Sequence, residues 1–106
     1  MTKVFIDPGI CGMKAVVTAN SEDGEEVTLT IESPCKGVGS IIDALGDTFD
    51  PYEICFAKPG AGPLYEYASE NFPAHGACPV IAGIAKCVEV ECGLTLKKDA
   101  VITFAE

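Results

Sequence analysis

Val27-Thr28-Leu29-Thr30-Ile31-Glu32 alternates strictly between apolar and polar side chains. A period of two, with β-branched residues on both faces, describes a strand that buries one side of a sheet and wets the other. The same alternation runs from Met13, with Ala15, Val17 and Ala19 on one face and Lys14, Val16 and Thr18 on the other. Val4-Phe5-Ile6 is short, apolar and β-favouring. Asp7-Pro8-Gly9 with Gly12, and Asn20-Ser21-Glu22-Asp23-Gly24, supply the turn residues between these runs. Residues 3–33 therefore read as a three-stranded antiparallel meander with one buried face.

After Pro34-Cys35 the period changes. Val38, Ile41, Ile42 and Leu45 follow helical spacing, and Gly46 stops the helix. Tyr52, Ile54 and Phe56 suggest a short strand. Pro63 fits the first turn of a helix carrying Leu64, Tyr67 and Ala68, which Phe72-Pro73 ends. The longest helix is expected at about 79–92, with Val80, Ile81, Ile84, Cys87 and Val88 on one face and Gly93 as its stop. Glu91 falls near that apolar face, although a residue in the last turn can swing into solvent. Val101-Ile102-Thr103-Phe104 predicts a closing strand. The order implies an α+β two-layer sandwich: the meander plus a C-terminal strand, with about three helices packed on one face. Residues 1–106 make a single domain.

The charge excludes several partners. The chain carries sixteen acidic residues against seven basic ones, for a net charge of −9, and no basic cluster exceeds Lys97-Lys98. Nucleic acid and an anionic membrane surface would be repelled. No apolar run approaches the roughly 20 residues of a membrane span. The N-terminus enters a strand pattern directly, without the apolar region of a signal peptide, so a cytoplasmic protein is expected. Yet 48% of residues are hydrophobic. That content fits two readings equally: a compact, well-filled core alone, or such a core with a subunit interface to a second copy or a protein partner.

A cytoplasmic setting decides how the six cysteines are read. They are expected to be reduced, as core residues, metal ligands or redox thiols, rather than disulfides. So many free thiols would suit an anaerobe. Cys11 lies in the first turn and Cys35 just past the third strand. In a meander, strands one and three run the same way, so both residues belong to one edge of the sheet. Cys35 and Cys78 each precede a predicted helix; with Pro79 at the first helical position, Cys78 becomes the N-cap, where thiolate is favoured. His75, the only histidine, stands three residues before Cys78. Cys11, Cys35, His75 and Cys78 are thus the candidate ligands of a zinc ion or an iron–sulfur cluster. Cys55, Cys87 and Cys92 read as structural. The alternatives are a non-enzymatic accessory or interaction domain whose cysteines are buried, and a thiol redox protein.

Residues 4–15, Val-Phe-Ile-Asp-Pro-Gly-Ile-Cys-Gly-Met-Lys-Ala, also resemble the phosphate-binding hairpin of the actin and sugar-kinase ATPases. Those enzymes use two such lobes and a second phosphate loop, for which this chain has no room, so Asp7-Pro8-Gly9 reads as turn chemistry. No Gly-x-Ser-x-Gly elbow occurs, and a histidine and cysteine three apart across a helix start seldom point at each other as a nucleophile pair needs. No catalytic residues are assigned.

Overall fold

The computed structural model describes residues 1–106 and is an α+β fold. The meander forms as its alternation predicts: β1 Thr2–Ile6, β2 Ala15–Asn20 and β3 Val27–Glu32 pair antiparallel in sequence order. Val4 opposes Val17, which opposes Ile31; Ala19 opposes Leu29. Ala15, Val17, Ala19, Val27 and Leu29 are buried on one face, with Val4, Ile6 and Ile31 packed beside them. The other face carries Lys3, Phe5, Thr28, Thr30 and Glu32 and is open.

The helical cover is more divided than the hydrophobic spacing predicts. The first helix splits at Ser40 into α1 Lys36–Gly39 and α2 Ile41–Leu45, and Gly46 ends it with φ 83°. Gly39 allows the close approach of Ser33, whose carbonyl would lie 3.1 Å from any added Cβ. A two-residue strand, β4 Thr48–Phe49, then pairs antiparallel with β3 and completes the sheet in the order β1-β2-β3-β4.

Two expectations about strands are corrected here. Residues 52–56 are not a strand: α3 runs Pro51–Cys55, because the Asp50 carboxylate accepts the Tyr52 N–H at 2.9 Å and Pro51 takes the first helical position. The C-terminal strand at Val101–Phe104 does not form either. Every residue from Thr95 onward is exposed, and none makes a backbone hydrogen bond. β-favouring residues need a partner edge before they become a strand, and here they reach none.

α4 Pro63–Asn71 and α5 Val80–Glu91 match their predicted positions, and α5 is the longest helix. Val80, Ile81, Ile84, Cys87 and Val88 bury its apolar face against β1 and β2. Gly83 permits that contact, since a side chain there would run into Ile6 Cδ1 and come within 2.7 Å of its Cγ1. At the far end the Glu91 carboxylate accepts the Thr2 hydroxyl at 2.7 Å and the Ser21 N–H at 2.9 Å, and pairs with the Met1 ammonium at 3.2 Å. α5 therefore runs antiparallel to β1, from the Ile6 end to the Thr2 end. No helix is long and apolar enough to cross a membrane.

Candidate site at the thiol-bearing end of the sheet

Three chain segments meet at the Ile6 end. The first is the β1–β2 turn, where the Gly9 N–H donates to the Asp7 carboxylate at 3.0 Å and the Gly12 N–H closes the turn on the Gly9 carbonyl at 2.9 Å. Asp7-Pro8-Gly9 is thus a side-chain-capped turn. Cys11 stands exposed on it. The second is the β3–α1 junction. The Ser33 hydroxyl reaches the Met13 carbonyl at 3.5 Å and accepts the Cys35 N–H at 3.2 Å, which links the Cys11 turn to Cys35. The sheet register thus carries Cys11 and Cys35 to a common edge.

The third segment is the α4–α5 turn. The His75 N–H donates to the Pro73 carbonyl at 2.6 Å, and the Cys78 N–H donates to the His75 carbonyl at 3.2 Å. Because α5 starts at the Ile6 end, His75 and Cys78 share that end with Cys11 and Cys35. Phe72 joins the second and third segments. A Cβ on Gly37 would lie 2.8 Å from its ring, and Tyr67, whose hydroxyl donates to the Gly37 carbonyl at 3.0 Å, packs on Phe72 edge to face. Phe72 also lines an open cleft of about 550 Å³ with Tyr65, Ala68, His75, Cys78 and Ile81.

A shared end is not convergence. No three His, Cys, Asp or Glu side chains lie close enough together to hold a metal ion, so Cys11, Cys35, His75 and Cys78 are not assembled as a ligand set. Two helix-start expectations also shift. The N-cap of α5 is Pro79, which leaves Cys78 one residue outside the helix. Cys35 does cap α1, but that helix has four residues and too few aligned peptides to build much of a dipole.

The remaining thiols are chemically different. All six cysteines are free. Burial pushes the Cys55 thiol up to about 11, with the charges of Glu89 and Cys92 adding to it. Cys87 is wholly buried; burial raises its thiol too, and its S–H donates to the Thr2 carbonyl at 3.3 Å, which also favours the protonated form. Cys92 is raised chiefly by burial. Protonated, packed thiols are poor nucleophiles and poor ligands.

Sequence reasoning missed the aromatic walls of the cleft. Phe72 reads there only as the end of a helix, and Tyr65 falls outside the Leu64, Tyr67 and Ala68 pattern; nothing in their spacing signals a cleft. Residues 2–104 match the model of a family of unknown function, DUF6951, and the chain belongs to that family. No curated protein and no solved structure matches it.

Proposed function

We propose that the Ile6 end of the sheet binds a zinc ion or an iron–sulfur cluster through Cys11, Cys35 and Cys78, with His75 as the fourth ligand. The observation that supports this reading is the common placement of these residues on three segments tied by Ser33 and Phe72. Three thiolates and one imidazole suit a tetrahedral ion, with Zn–S near ~2.3 Å. No three of these side chains stand within ligand distance of one another, so binding requires the β1–β2 and α4–α5 turns to close. There is room for this. Nothing lies within 4 Å of where a Cβ would stand on Gly9, Gly12 or Gly76. Binding energy would then be spent partly on closure, as in small metal domains that order on loading.

The test is zinc titration of reduced, metal-free protein without oxygen, alongside reconstitution with ferrous iron and sulfide. The expected result is one equivalent of metal or one cluster, lost in Cys78→Ala and Cys35→Ala and kept in Cys92→Ser. Uptake unchanged by Cys78→Ala, or no uptake at all, overturns the proposal.

A second reading, an interaction module without metal, draws on a different observation: Leu96, Val101, Ile102 and Phe104 are all at least 75% exposed.

A further inference from the structure

The C-terminal segment and the β1 edge each lack what the other has. From Thr95 onward the chain makes no backbone hydrogen bond, yet Val101-Ile102-Thr103-Phe104 is strongly β-favouring. Val101 is 75% exposed, Ile102 88% and Phe104 94%, in a chain otherwise rich in surface carboxylates. β1 is the outermost strand of the sheet, and nothing pairs with its outer side. It is five residues long, whereas the opposite edge, β4, has two. Its outward Phe5 is 77% exposed, with only the Lys3 ammonium, 5.6 Å from the ring centroid, over it. A free edge of this kind accepts an extended segment by continuing the ladder.

We propose that residues 101–104 pair as an added strand on the β1 edge of a second copy of this chain, giving a two-fold dimer with two reciprocal tails. Direction argues for a second copy over the chain's own β1. α5 ends beside Thr2, so a tail running straight along its own β1 would lie parallel to it. Every existing pair in the sheet is antiparallel. Parallel pairing is the less stable kind per residue, and a second copy is free to lie antiparallel. The pleat then puts Ile102 and Phe104 on one face of the extended sheet and Val101 and Thr103 on the other, one set continuing the apolar layer of Val4 and Ile6, the other lying beside Phe5.

Charge points the same way. Lys97 and Lys98 are the only adjacent cations in a chain of net charge −9. Antiparallel pairing carries them past the Ile6 end of the partner, where the Asp7 side chain, 3.9 Å from the Lys14 ammonium, is still 64% exposed. Two self-complementary contacts of this kind close on themselves and do not propagate into a fibre.

Light scattering on the reduced full-length protein in chelator tests this without metal or disulfides. The expected mass is twice the 11.1 kDa of one chain, falling to 11.1 kDa in the double variant Ile102→Asp, Phe104→Asp, with association weakened by about a hundredfold or more. The variant keeps its fold, because Ile102 and Phe104 are 88% and 94% exposed and bury nothing in the core. Amide exchange should show residues 2–6 and 101–104 protected together, increasingly so with protein concentration. A wild-type monomer at high concentration overturns the proposal. So does a dimer that survives the double variant, or protection independent of concentration, which would mean that the tail folds onto its own β1.

Discussion

Glu91 shows how one side chain can escape its position on a helical wheel. A carboxylate in the last turn has solvent within reach, yet its side chain is only 8% exposed. Burial alone would raise its affinity for a proton, but the Thr2 hydroxyl, the Ser21 N–H and the Met1 ammonium outweigh it and hold the carboxyl below the usual range. The folded pKa is depressed, so Glu91 stabilises the fold above the unfolded carboxyl value, and this contribution is lost as pH falls through the folded one. Glu91→Gln should therefore cost about 1–3 kcal/mol near neutrality. The difference should shrink as denaturant titrations are repeated at successively more acidic pH below the ordinary carboxyl range; a pH-independent difference would leave lost shape as its cause.

At the scale of elements, the contact of α5 with β1 depends on a missing side chain. Gly83→Ala drives a methyl into Ile6 and should destabilise the protein by about 1–3 kcal/mol. Trimming the obstacle with Ile6→Val should recover part of that loss, and urea titration of the double-mutant cycle reads the coupling directly. Elements that carry their own period were legible. Alternation in β2 and β3 places Ala15, Val17, Ala19, Val27 and Leu29 inward without any knowledge of the fold, and the stripe from Val80 to Val88 locates α5. Elements set by a cap or by a partner were not. Tyr52, Ile54 and Phe56 have strand periodicity, but Asp50-Pro51 is a helix-start signal and it prevails. Val101–Phe104 has strand chemistry but pairs with no edge of the sheet. The candidate site was half legible. Strand direction alone puts Cys11 and Cys35 at the same end of the sheet, but only the packing of Gly83 on Ile6 shows that α5 begins at that end. Whether the ligands close is set by turn conformation, which spacing does not encode.

Over the whole molecule, the thiols define an alkaline boundary. Cys55, Cys87 and Cys92 all have folded values raised by burial, Cys55 to about 11. A raised value means that the native state holds its protons more tightly than the unfolded chain. The contribution is complete below the ordinary thiol value of about 8.5 and declines as pH rises through the folded values. Stability should fall between about pH 8.5 and 11, and the part of this limb below about pH 10 precedes the discharge of the lysines. Replacing Cys55 with Ala should flatten that limb when melting temperatures are followed against pH in reducing buffer. A limb unchanged by the substitution would assign it to other groups.

The Glu91–Thr2 bond joins residues 89 apart in the chain. During synthesis the meander emerges first, and its apolar face stays bare until the last helix arrives to cover β1 and β2. The nascent chain thus carries an open sheet through most of its translation. A chain stalled before α5 would expose Val17, Ala19 and Leu29 to any holdase within reach, and the fold can lock only once nearly the whole domain has left the ribosome.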